Sequence, residues 1–105
     1  MYLLDTNFLT DYLLGREGFI DKFNELSNHE LYISVINSAE LLSWTKHSDL
    51  QAIHDFLDSF IIISITDSLA RKAGITRAEL KKKGYKKSLV DILIGQTALE
   101  YNLIL

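Results

Sequence analysis

A chain of 105 residues, 48% hydrophobic and 24% charged, has the size and composition of one globular domain, residues 1–105, with a single core. The absence of cysteine excludes disulfides, thiolate metal centres and cysteine nucleophiles, and no apolar run approaches the ~18 residues of a membrane span. Without a leader-like start either, the expectation is a cytoplasmic protein with no membrane partner, and its net charge of -3 argues at first against a polyanionic one.

The elements follow in chain order. The short continuous apolar run Tyr2–Leu4 reads as a strand buried on both faces. It runs into Asp5 and then "TNFLTDYLL", whose Phe8, Leu9, Tyr12 and Leu13 form a helical stripe ended by Gly15. "FIDKFNEL" repeats that pattern with Phe19, Ile20, Phe23 and Leu26. Leu31–Ser34 is a second strand, "VINSAELLSWTKH" the helix after it, and Leu50–Phe60 a further helix. The β-branched Ile61–Ile65 predicts a third strand, followed by a long helix to Gly84 with a break expected near Gly74. "SLVDILIGQTALEY" is a helix with hardly a polar face, hence central, and "NLIL" a fourth strand. Strand and helix in alternation imply an α/β fold with a parallel sheet covered on both faces. In such sheets ligands bind beyond the carboxyl ends of the strands.

Three acids fall at that rim. Asp5 is the first residue past strand one, where it can either cap the following helix or serve a ligand. Glu40 lies near the start of the helix after strand two, among Ala39, Leu41 and Leu42, which implies a partly buried position. Ser88-Leu89-Val90-Asp91 fits a capping box, but Asp91 opens an apolar helix, and Gly95 one turn later is expected to leave open space beside its carboxylate. Three close carboxylates repel one another unless a cation is present. An all-oxygen donor set, with no cysteine and no suitably placed His29, His47 or His54, selects a hard ion, Mg²⁺ or Mn²⁺. Eight of the eleven Lys and Arg residues lie between Arg71 and Lys87, with Glu79 the one acid among them. That run is either a solvated helix end favoured by the dipole or a face that guides a phosphate chain.

"LLDTNFL", "ISVINSAELL" and "SLVDILIGQTALEYNLIL" together resemble the PIN domain, in particular the VapC-type toxins of bacterial toxin–antitoxin pairs, along Tyr2 to Leu105. The resemblance implies a three-layer fold with sheet order 3-2-1-4, and a metal-dependent endoribonuclease acting as the toxin of a type II toxin–antitoxin system. It also implies Mg²⁺ (or Mn²⁺) held by Asp5, Glu40 and Asp91, with Thr6 and Asn7 of the Asp-Thr-Asn motif ordering the site. An RNA substrate guided by Lys86 and Lys87, a cognate antitoxin and a homodimer complete what it implies. Members of the family usually continue past this point with a further acid and a fifth strand, both missing here. On that basis the ion site is expected to be impaired and the last strand to offer an open edge for pairing. The alternative is therefore a catalytically weakened PIN-fold module that binds an antitoxin or itself. A third reading, a receiver-like domain with Asp67 as phosphoacceptor, ranks lower because strand one delivers one acid rather than a pair.

Overall fold

The computed structural model describes residues 1–105. Its elements are β1 (Tyr2–Leu3), α1 (Thr6–Leu13), α2 (Phe19–Leu26), β2 (Leu31–Ser34), α3 (Val35–Ser43), a 3₁₀ turn at His47–Asp49, α4 (Leu50–Asp58), β3 (Ile61–Ile63), α5 (Asp67–Lys82) and α6 (Leu89–Glu100). The three strands form a parallel sheet in the order β1-β2-β3, with Tyr2 opposite Leu31 and Ser34 opposite Ile63. No helix is long and apolar enough to cross a membrane.

β1 is short because little more is asked of it than to separate two cores. Leu3 is 0% exposed and packs against Ile94 and Ala98 of α6. Leu4, its neighbour on the other face, joins Leu9, Ile33, Leu41, Leu57 and Phe60. The period-two alternation of a strand thus places successive leucines in opposite layers, α1 to α4 on one side and α5 with α6 on the other. On the first side Tyr12 stacks on Phe23 and Phe56 at ring separations of 4.2 and 5.7 Å, and Phe60 meets Phe56 edge-on at 5.0 Å. These rings tie α1, α2 and α4 together.

The backbone of β1 is satisfied on both edges. Tyr2 and Leu4 donate their N–H groups toward the β2 side, to Glu30 and Tyr32, while Leu3 donates to Ile104 at 2.8 Å. The expected order 3-2-1-4 is therefore found for its first three strands, and the fourth position holds a single parallel bridge, Tyr2 to Ile104. "NLIL" is not a strand throughout, because Asn102 is left-handed (φ 53°) and ends α6: Leu103 donates back to the Ala98 carbonyl at 2.9 Å. Chain reversal uses the residues that a strand of that length would need.

Other boundaries also differ from expectation. α5 runs unbroken through Gly74, since Leu69 and Ala73 are buried on the face that packs inward and outweigh a glycine cost of ~1 kcal/mol. α3 stops at Ser43, where the Thr45 hydroxyl donates to the Leu41 carbonyl and closes the helix end. β3 lies at the sheet edge with Ile61 and Ile62 exposed, and its β-branched run forms a strand of three residues rather than the expected five. α6 is half as central as its composition implied: Ile92, Ile94, Thr97 and Ala98 are buried, whereas Leu99 is 73% exposed.

A Leu41→Ala substitution in the first core should cost about 2–5 kcal/mol in a urea unfolding titration, whereas Leu99→Ala on the open face of α6 should change stability by less than about 0.5 kcal/mol.

Candidate active site

Asp5 follows β1 with extended backbone (φ -90°, ψ 167°), so it cannot continue into α1 and becomes its N-cap. One carboxylate oxygen, Oδ1, accepts the Phe8 N–H at 2.8 Å, and the other has no hydrogen-bond partner. Both readings of this residue coexist, since capping engages a single oxygen. Ser88 caps α6 in the same way, accepting the Asp91 N–H at 3.1 Å, while the Asp91 side chain makes no hydrogen bond or ion pair. The capping-box spacing here uses the serine alone.

Glu40 is held differently. It projects from α3, partly buried, and its Oε1 accepts the Thr6 hydroxyl at 2.7 Å. That hydroxyl in turn accepts from Asn37 Nδ2 at 2.9 Å, and Asn37 Oδ1 accepts the Ser34 N–H at 2.7 Å. Ser34 closes the box by taking the Ile36 N–H at 3.1 Å on its own Oγ. Ser34 and Asn37 are both 0% exposed and Thr6 and Glu40 partly buried, so the inner end of this run is desolvated and its members satisfy one another. Asn37 was not singled out from the sequence. The signal was present in Ser34-Val35-Ile36-Asn37, a capping box with Asn in the third helical position in place of Glu or Gln.

The three acids line one cavity of about 290 Å³ between the starts of α1 and α6 and the second half of α3, where Glu40 lies rather than near the helix start. Thr6, Asn7 and Lys87 also line it, together with Val90, Ile94 and Leu105. No cation is paired with any of the three: the ion pairs of the molecule are Arg16–Asp11, Arg71–Asp67 and Lys72–Glu100. Each acid keeps at least one oxygen free of hydrogen bonds, an oxygen-only donor set suited to a hard divalent ion. The carboxylates are nevertheless spread around the rim, and no three acidic or histidine side chains close to ion-holding distance of a common point.

The remaining residues divide. Asn7 lies at the cavity with its amide bonded to neither Asp5 nor Glu40, and Thr6 and Asn37 carry the ordering contacts. Lys86 stays in solvent just outside, while Lys87 reaches the wall. The open space beside Gly95 is real, since an added Cβ would touch nothing within 4 Å, but Val90 and Ile94 form the cavity wall there instead. Asp67 opens α5 as the partner of Arg71 at 2.8 Å and is not at the cavity, which removes the geometric basis for a receiver-like site. None of the three histidines lines it either.

A family model of the PIN domain matches residues 2–105. The chain belongs to the PIN domain family. This PIN domain is 29% identical over 101 residues to ribonuclease VapC19 of Mycobacterium tuberculosis, covering 94% of its own length and 81% of that protein. Its fold is similar to a toxin–antitoxin complex from Klebsiella pneumoniae, with TM-score 0.79 and 28% identity across 98% of this chain and 82% of the matched one. It is equally similar to VapBC2 from Rickettsia felis bound to a DNA fragment from its promoter, with TM-score 0.79 and 28% identity across 97% and 82% of the two chains.

Within this PIN domain, Asn37→Ala leaves the buried Ser34 N–H without an acceptor and should lower stability by about 1–3 kcal/mol in chemical denaturation. Thr6→Ser, which keeps the hydroxyl, should stay much closer to the parent in the same measurement.

Proposed function

We propose that the protein is a divalent-cation-dependent endoribonuclease, the toxin of a type II toxin–antitoxin pair, acting on RNA in the cytoplasm. The observation that carries this reading is the cavity where Asp5, Glu40 and Asp91, from three separate helices, present free carboxylate oxygens with no protein cation paired to them. An ion such as Mg²⁺ or Mn²⁺ would offset the charge of such a set. When bound, the ion supplies Lewis-acid polarisation and charge neutralisation at a phosphodiester. Asp5, Glu40 and Asp91 would hold it, with Glu40 oriented by the Thr6 hydroxyl and Asn7 beside them at the cavity mouth.

Lys87, on the wall, attracts the scissile phosphate, and Lys86 extends that field outward. Both precede the N-terminus of α6, where the helix dipole disfavours positive charge, so helix stability gives no reason for them. The likeness to a named ribonuclease and to two toxin–antitoxin assemblies supports the reaction class and an antitoxin partner. A homodimer is part of the same proposal, carried over from the resemblance. The spread of the three carboxylates favours a second reading, a PIN-fold module that binds an antitoxin or itself with weak chemistry.

Asp5→Asn keeps a side chain that caps α1 while removing the charge, and Asp91→Asn removes a charge that no hydrogen bond uses. Each should reduce Mg²⁺-dependent cleavage of a labelled RNA by more than about 100-fold, and Thr6→Val by about 10–100-fold through loss of Glu40 orientation. Undiminished cleavage in either charge variant sinks the nuclease site. A calorimetric titration of the parent with no saturable Mg²⁺ or Mn²⁺ binding favours the second reading.

A further inference from the structure

Arg77 aside, the basic run between Arg71 and Lys87 is two populations. Arg71 is paired with Asp67 and Lys72 with Glu100, so the middle of α5 uses its charges structurally. From Lys81 to Lys87 there are five lysines in seven residues, no acid and no ion pair. The two residues that interrupt them are Gly84 and Tyr85.

These two are held firmly. Gly84 is left-handed (φ 85°), a conformation glycine adopts without penalty, and its N–H bonds the Lys81 carbonyl at 3.0 Å. The Tyr85 N–H bonds the Leu80 carbonyl at 2.9 Å, completing a Schellman end to α5. Three residues later Ser88 caps α6. The link from Gly84 to Ser88 is thus pinned at both ends, and its lysines sit on a short, pre-set backbone. The Tyr85 ring is 58% exposed and pairs with none of the other aromatic rings, which interact among Tyr2, Phe8, Tyr12, Phe19, Phe23, His29, Phe56 and Phe60. Two residues on, within about 7 Å of chain, Lys87 lines the acid cavity.

We propose that Tyr85 is a stacking platform for an unpaired base of single-stranded RNA, with the surrounding lysines on its phosphates, so that the Gly84–Ser88 link selects single-stranded substrate and feeds it to the cavity. The inference rests on the ribonuclease reading above. An exposed ring flanked by unpaired lysines fits the way single strands are bound, through a basic track with bases stacked on aromatic faces. A duplex keeps its bases stacked inside and offers the ring nothing equivalent.

The test uses the full chain and a fluorescent mixed-sequence RNA of about ten nucleotides, in EDTA so that binding is read apart from cleavage, beside a blunt duplex of the same length. Tyr85→Ala should weaken single-strand binding by about 5- to 150-fold, the range for one base–aromatic stack, and leave duplex binding unchanged. Tyr85→Phe should bind as the parent does. The slope of log affinity against log salt should be unaltered in Tyr85→Ala but reduced by about 0.7 in Lys87→Ala. Parent-like binding by Tyr85→Ala, equal losses on single strand and duplex, or no single-strand binding by the parent would each overturn the proposal. Cleavage in Mg²⁺ is scored separately. Binding that depends on Tyr85 without any cleavage removes the nuclease reading and leaves the platform standing, whereas cleavage with no Tyr85 dependence of binding does the reverse.

Discussion

The Ser34, Asn37, Thr6 and Glu40 hydrogen bonds join the start of α1 to α3 above the carboxyl edge of the sheet, and their Ser34–Asn37 end is fully buried. A desolvated polar run of this kind tolerates few arrangements, because any member that turns away strands a partner. Its consequence is directional. Glu40 is a long side chain with several rotamers, and the Thr6 hydroxyl holds one of its oxygens toward the residue that follows Asp5. The relation between strand one's acid and strand two's acid therefore depends on a threonine and an asparagine, neither of them charged.

Charge is distributed with the same logic. Away from the cavity three ion pairs form within the chain, Arg16–Asp11, Arg71–Asp67 and Lys72–Glu100. At the cavity and on the Gly84–Ser88 link none is paired, although Lys87 and three carboxylates line the same cavity. Like charges left unpaired beside each other raise the free energy of the isolated protein and lower that of a complex with a counter-charged ligand. An acidic cavity beside a basic link suits a divalent cation together with a polyanion, and membership of the PIN domain family is consistent with both.

The C-terminal ends of α5 and α6 are built alike. Gly84 follows α5 and Asn102 follows α6, each left-handed, each followed by a residue whose N–H returns to the last turn. At the first, the motif presents Tyr85 to solvent; at the second, it turns Leu103 inward against Leu3 and lays Ile104 along β1. One capping device thus leaves an exposed ring in one place and closes the sheet in the other.

The positions of Asp5, Glu40 and Asp91 after strand one, in the helix after strand two and at the head of the apolar helix could be read directly, because strand-end and helix-start signals are local and parallel α/β sheets put such ends on one rim. The alternating layers were likewise implied by the element order. The extent of each element was not: Gly74 failed to break α5 because inward packing of Leu69 and Ala73 outweighed a propensity of about 1 kcal/mol. The strand character of "NLIL" was reduced to one bridge by the helix end at Asn102. Asn37 drew no notice because its value lies in Thr6, 31 positions away. By itself, then, the sequence determined which acids reach the rim, which lysines lack a neighbouring acid and how many layers cover the sheet, since all of these follow from spacing along the chain. Only the tertiary structure decided which oxygens stay free, which lysine reaches the wall and what orients Glu40, because those depend on groups brought together from distant segments, where a hydrogen bond of 2.7 Å leaves no trace in local pattern.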